Sequence, residues 1–166
     1  MHHKLILGVA ALSLSLACGQ NEDHKMSSPL LEITAKCRAN DQCLFDGHDM
    51  FVDLAIANTQ DVEVGFPLEF VQASGPIVKL TDTRTRAETY LKPNLADPEK
   101  QKNIVWIPPG RSVPVEWVLT AGELERFGDL AVDVSAEFTI MARVHVRDRQ
   151  LDFRGAATLR IVGRKR

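Results

Sequence analysis

The residues best equipped for chemistry gather in one short stretch, DGHDM at 46–50. Asp46, His48 and Asp49, with Asp41 upstream, are oxygen and nitrogen donors of the kind that hold a cation. Their order lacks the D-x-D-x-D-G core of an EF-hand loop, so a solvated loop feeding a strand is the leading reading and no metal is assigned. His24 and His145 stand apart from any H-E-x-x-H or paired Cys/His pattern. Ser74, in ASGP, lies outside any G-x-S-x-G elbow and reads as a turn serine. Acidic residues are many, yet nothing selects a pair at a glycosidase spacing. The expectation is a protein that is not an enzyme, with no catalytic residue and no cofactor.

The three cysteines carry more information. Cys18 closes the segment MHHKLILGVAALSLSLAC. His2, His3 and Lys4 form a short basic start, and Leu5 to Leu16 form an apolar run of about a dozen residues, too short for a typical membrane span. Ala17 supplies a small residue before a cut. The stretch Ser15, Leu16, Ala17, Cys18 resembles the lipobox of bacterial lipoproteins. That resemblance implies cleavage after residue 17, a thioether lipid on Cys18 and acylation of the new amino terminus. Several acyl chains on one residue give stable anchoring where one chain gives only marginal binding. GQNEDHKMSSP (19–29) then reads as a polar, flexible tether. With no Asp directly after Cys18, the family resemblance implies sorting to the outer membrane, facing the periplasm.

Cys37 and Cys43 remain as an even pair, separated by RANDQ. In an oxidising compartment a disulfide closing a small loop is the leading reading, helped by the turn-forming Asn40 and Asp41. Two free thiols are the alternative. The spacing is not C-x-x-C, and His48 does not complete a zinc set.

The elements that must position these groups are mostly strands. Among 166 residues, 45% are hydrophobic, 25% charged and 6% aromatic, which suits one domain with a largely aliphatic core. Period-two alternation predicts strands over 30–37, 49–58, 62–70, 112–119 and 151–162, with shorter ones over 75–82, 86–92 and 104–107. Pro67 makes 62–70 an edge strand or a broken one. Residues 93–103 read as a polar loop. Thr120 and Glu123 form a T-x-x-E box at the start of one short helix that Gly128 can close, and Gly110 in PPG can take positive φ. The run 130–146 is apolar at every even position and too long for a usual strand, so a bend, a bulge or two successive strands is expected.

Eight or nine strands and one short helix predict an all-β fold of stacked antiparallel sheets. A β-sandwich is favoured over a closed barrel. VDLAIANTQDVEVGF followed by IPPGRSVPVEW resembles secreted immunoglobulin-like modules, in which a strand ends in Asn and a later strand is introduced by Pro-Gly. The expected organisation is a signal peptide over 1–17, a tether over 18–29 and an immunoglobulin-like domain over 30–166.

Charge is uneven along the chain. The formal net charge of −2 predicts no general affinity for nucleic acid. Residues 141–166 nevertheless hold eight Lys or Arg against two acids. Outward Arg143, Arg147, Arg154 and Arg160 can share a face of adjacent strands and meet an anionic partner. Ordinary cross-strand pairing with acids is the leading reading, and the anionic-partner patch is the alternative. Together these features predict a membrane-anchored envelope module that binds a protein partner without catalysis. An inhibitor or immunity lipoprotein that neutralises a secreted hydrolase is the alternative.

A Cys18→Ala variant tests the anchor. Labelled palmitate should no longer enter the protein, and the folded domain should move from the membrane to the soluble periplasmic fraction. Unchanged membrane association would count against a lipid on Cys18.

Overall fold

A computed structural model of the chain describes residues 29–39, 42–128 and 131–163. The leader, Cys18, most of the tether, Asp41 and the terminal Arg164, Lys165 and Arg166 lie outside the described residues. The chain is mostly β. Ten strands follow in order: β1 (Leu31–Cys37), β2 (Leu44–Phe45), β3 (Met50–Asn58), β4 (Val64–Phe66), β5 (Ile77–Asp82), β6 (Glu88–Leu91), β7 (Val105–Ile107), β8 (Ser112–Leu119), β9 (Asp133–Val146) and β10 (Arg149–Gly163). Two α-helices, α1 (Leu68–Ser74) and α2 (Ala121–Glu125), and a 3-10 helix (Pro98–Lys102) complete the elements.

Strands β1, β3 and β8 form one antiparallel sheet. The other seven form the second, built around β9 and β10. Alternation sets what each sheet buries. Val134, Ala136, Phe138 and Ile140 of β9 face Ile33, Leu54, Ile56 and Val115 of the smaller sheet within one continuous core. Phe45, Phe66 and Phe138 are its largest fully buried side chains. Each such ring contributes roughly 1.5–3 kcal/mol by leaving water. Side chains close over the backbone at Gly155, where an added Cβ would lie 2.6 Å from the Phe153 ring and 2.9 Å from Ile33 of the facing sheet.

Four expectations need correction. First, the sheets are not wholly antiparallel: β2 pairs parallel to the end of β10, Leu44 opposite Val162 and Phe45 opposite Gly163. Second, 130–146 does not divide. Residues 133–146 are one fourteen-residue strand, paired with β10 throughout. Third, 62–70 breaks at Pro67, as the sequence allows, but its second part is helix and not strand. Pro67, at the helix N-cap with no N–H to give to a ladder, ends β4, and Leu68–Ser74 is helical. Fourth, the 93–103 loop contains the 3-10 helix, capped where Asp97 Oδ1 accepts from Glu99 N at 3.0 Å.

The second and third corrections are two sides of one arrangement. Both β4 and β5 pair antiparallel with the same edge of β9, β4 at Val146 and His145 and β5 from Thr139 to Val134. They are one strand line, interrupted. From Gly65 to Ile77 the chain advances twelve positions while β9 retreats only six, from His145 to Thr139. The surplus is α1. The next strand line breaks at the same level, because β6 pairs only β5 and β7 pairs only β4 among the described residues. The two excursions hold each other. Glu69 of α1 meets Lys100 Nζ at 3.0 Å and accepts from Asn103 Nδ2 at 2.7 Å. Asn94 N donates to Ser74 O at 2.7 Å.

Helix α1 also closes the flank between the sheets. Gln72 Nε2 donates to Pro114 O of β8 at 3.3 Å, and Gly75 ends the helix against the Trp117 ring. Gly75 has φ +72° and ψ 177°, a region open almost only to glycine. A Cβ there would lie 1.9 Å from Trp117. Gly110 has a similar φ of +68°, as its turn predicts, but open space around it.

Gly75→Ala and Gly110→Ala therefore separate strain from collision. Gly110→Ala should cost about 1 kcal/mol from backbone strain alone. Gly75→Ala should cost at least about twice that, because Trp117 must move as well. Urea unfolding of the two variants checks the difference; equal losses would refute the packing of α1 on Trp117.

Candidate functional site

The long hairpin of β9 and β10 distributes the predicted arginines. Arg147 lies in its two-residue turn with Asp148, at φ +53°. Arg143, Arg154 and Arg160 all face outward, opposite Asp152, Met141 and Ser135. They do not form a single bare patch. Arg160, at the far end of the hairpin, makes two hydrogen bonds to Asp133, from Nε at 3.0 Å and from Nη2 at 2.9 Å. Arg143 Nε stands 3.6 Å from Asp152, and both side chains are highly exposed. Arg154 and Arg147 have no ion-pair partner among the described residues.

The interrupted strand lines create a window in the larger sheet beside this hairpin. No strand pairs with 140–144 of β9 on the side away from β10 among the described residues. A cleft of about 860 Å³ occupies the interval. Pro67 and Phe70 come from the first excursion, and Pro98, Gln101, Lys102 and Ile104 from the second. Met141, Arg143, His145, Gln150 and Asp152 line it from the hairpin's outer face. Ala142 and Phe153, a register pair on the core face, also reach it. The cleft thus joins an apolar interior to a polar rim, the usual make-up of a ligand site.

Gly65 lets its upper end close. An added Cβ there would lie 2.7 Å from Ile104, 3.0 Å from His145 and 3.2 Å from Trp106. With only hydrogen at that point, Trp106 and His145 stand edge to face, their centroids 6.5 Å apart. Trp106 remains 49% exposed and Met141 57%, so both are available to a partner. Neither Phe70, Lys102, Trp106 nor Met141 was singled out by sequence. Met141 was the readable signal: an apolar residue at an outward position of a strand whose neighbours there are polar.

A second surface lies at the opposite pole. The pole of the hairpin turn also holds Pro29 and Asn58. Pro29 O accepts from Gln60 Nε2 at 3.1 Å, and Asn58 Nδ2 donates to Ile107 O at 2.7 Å. The strands run from there to a pole closed by the Cys37–Cys43 disulfide, with Cα atoms 5.4 Å apart. Both half-cystines are buried. Beside them Phe51, Leu44 and Val118 are exposed, Phe51 and Val118 as a register pair. Arg38 frames this patch. Its N donates to Phe51 O at 2.9 Å, its guanidinium lies 5.6 Å from the Phe51 ring, and it reaches both Asp53 at 2.5 Å and Glu116 at 2.6 Å. Aromatic and arginine side chains held this way are typical of binding hot spots.

The DGHDM donors lie near this pole but diverge. Asp46 Oδ1 is 3.1 Å from His48 Nδ1, whereas Asp49 Oδ1 accepts from Ala121 N of α2 at 2.8 Å. At the same helix, Glu123 Oε2 accepts from Thr120 N at 2.8 Å, as the T-x-x-E spacing predicts. Among the described residues no helix is long and apolar enough to cross a membrane.

No protein-family model matches the chain, and no curated protein matches it. Several solved structures align at low similarity. A structural-genomics target protein, SoR45, covers 80% of this chain and 84% of its own length at 9% identity, with a TM-score of 0.42. A protein from Archaeoglobus fulgidus covers 81% and 98% at 10% identity, TM-score 0.37. A β-glucosidase from Erythrobacter marinus covers 76% of this chain and 15% of its own at 10% identity, TM-score 0.31. Scores this low carry nothing about activity.

Several carboxylates are held below their ordinary range, each by a named donor. Arg160 does this for Asp133, Arg38 for Asp53, and the N–H groups of Thr85 and Arg84 for Asp82. A carboxyl whose folded value is depressed stabilises the fold fully above its unfolded value near pH 4. That contribution disappears as pH falls through the folded value. Urea midpoints should therefore hold steady from pH 7 to about 5 and fall in acid. Asp133→Asn should lower the neutral midpoint and flatten the acid fall; an unaltered acid limb would exclude the Arg160 pair as a contributor.

Proposed function

We propose that this chain is a lipid-anchored, immunoglobulin-like binding module of the bacterial cell envelope, without catalysis of its own. Its anchor is Cys18, its site the periplasmic side of the outer membrane, and its partner a protein. One observation carries the reading: the described chain starts at Pro29 at one pole, and the exposed Phe51 patch lies at the other. Eleven positions separate Cys18 from Pro29, a reach of up to roughly 35–40 Å when extended. A domain on so flexible a tether is free to turn its disulfide pole away from the bilayer, toward whatever it meets. The buried bridge and the Arg38 contacts hold that pole in one shape, which lowers the entropic cost of binding.

The immunoglobulin-like reading is supported by the two facing sheets and by Asn58 and Gly110 at the positions the sequence pattern assigns them. Asn58 ends β3 and Gly110 N donates back to Asn58 O at 3.0 Å. The inhibitor or immunity reading draws on the same pole, since a disulfide-closed loop beside an exposed aromatic ring suits the blocking of a hydrolase.

Cross-linking in intact cells tests the surface. A photoreactive residue at position 118, the exposed register partner of Phe51, should capture one dominant envelope protein, and adding Phe51→Asp should abolish the capture while leaving the melting temperature within a few degrees. Capture of a secreted hydrolase would select the inhibitor reading. Undiminished capture by Phe51→Asp would remove the disulfide pole as the binding surface.

A further inference from the structure

The window in the larger sheet is a second site, independent of the anchor and of the disulfide pole. Three observations define what would fit it. The first is the bare edge of β9. Strand pairing stops at Thr139 on one side and resumes at His145 on the other, an interval of about 20 Å at 3.3 Å per residue. Alternate residues in that interval direct their N–H and C=O away from β10, toward the cleft. No other backbone pairs with them among the described residues. An incoming extended backbone three or four residues long would restore that hydrogen bonding.

The second observation is apolar depth. Phe70, Phe153 and Met141 line the cleft together, and Met141 is 57% exposed. The third is the sign of the rim. Arg143 and Lys102 line the cleft, Lys102 held by Glu99 at 2.5 Å, and Arg154 stands opposite Met141 on the same face. Arg154 has no acidic partner among the described residues. The Arg143–Asp152 pair is 3.6 Å long with side chains 70% and 94% exposed. Such a pair contributes little and yields readily to a better-placed anion.

From these we infer that the window binds the carboxyl-terminal end of a partner polypeptide. Its last residues would extend along β9, an apolar terminal side chain would enter between Phe70 and Phe153, and the terminal carboxylate would meet Arg143. The bare main-chain edge favours a polypeptide over other apolar carboxylates, because a fatty acid has no backbone groups to offer it. The ends of β4 and β5 block a longer strand, which is why a chain terminus fits where an internal segment would not.

The test uses the full chain and fluorescent hexapeptides with free carboxyl termini and randomised last three residues, followed by anisotropy. Ligands ending in Leu, Ile, Val or Phe are expected. Amidating the best ligand should weaken it about tenfold or more, as loss of a charge-assisted bond requires. Arg143→Gln should weaken it about fivefold or more, and Met141→Asp should bring it below detection. Thr158→Gln, exposed on the same face outside the cleft, should leave it unchanged. Equal affinity of the acid and amide, or full affinity in Arg143→Gln, would overturn the proposal. So would binding of laurate but of no peptide. Loss of Phe51-dependent capture in cells would leave these results standing, so the two readings fail separately.

Discussion

Strand β9 imposes the constraint on which the larger sheet depends: its main-chain groups must be paired or wetted along fourteen residues. One edge is satisfied without a break by β10. The other is shared by β4 and β5, and between them the chain leaves the sheet. Pairing with β9 ends at Gly65, and Pro67, two positions on, has no N–H with which to resume it. The excursion then becomes useful packing. Helix α1 caps the open flank through Val71, Gln72 and the Gly75–Trp117 contact, and the neighbouring strand line breaks at the same level to accommodate it.

Asn58 does for the join between sheets what β9 does within one. It is 1% exposed, and burying an amide is costly unless its bonds are made. Here they are. Its Nδ2 donates to Val62 O at 2.8 Å and Ile107 O at 2.7 Å, and its Oδ1 accepts from Gln60 N at 2.8 Å. Its own N donates to Arg111 O at 2.8 Å. One side chain therefore fixes the end of β3, the turn that follows and the last residue of β7 in the opposite sheet. Polarity of the whole domain follows, with chain entry and the hairpin turn at this end and the disulfide at the other.

Much of this was legible in the residue order, for local reasons. Alternation over 130–146 identified which side chains of β9 enter the core, and 151–162 gave its partner. The Cys37–Cys43 spacing marked a small loop that a bridge could close, and the structure contains that bridge. What escaped depended on distant partners. Leu44–Phe45 is a strand only because the end of β10 lies alongside. Leu68 and Phe70 prolonged the alternation of 62–66, which hid a helix that Pro67 and Gly75 bracket. The window escaped because Gly65, Ile104, Trp106 and His145, far apart in sequence, meet only when three strands assemble. Arg143, Arg154 and Arg160 lie outward as alternation implies, whereas Arg147 falls in the hairpin turn, and register alone decided that Arg143 and Arg160 would each have an acid within reach.

The two excursions leave and re-enter their own strand lines. A change in their length would therefore shift no pairing in β4, β5, β6 or β7, and the hydrophobic layer beneath would keep its composition. Elsewhere an inserted residue would turn a buried face outward. The flank formed by 67–76 and 92–104 is thus the part of this architecture most free to vary, a place where homologous chains could exchange one recognition surface for another on an unchanged scaffold.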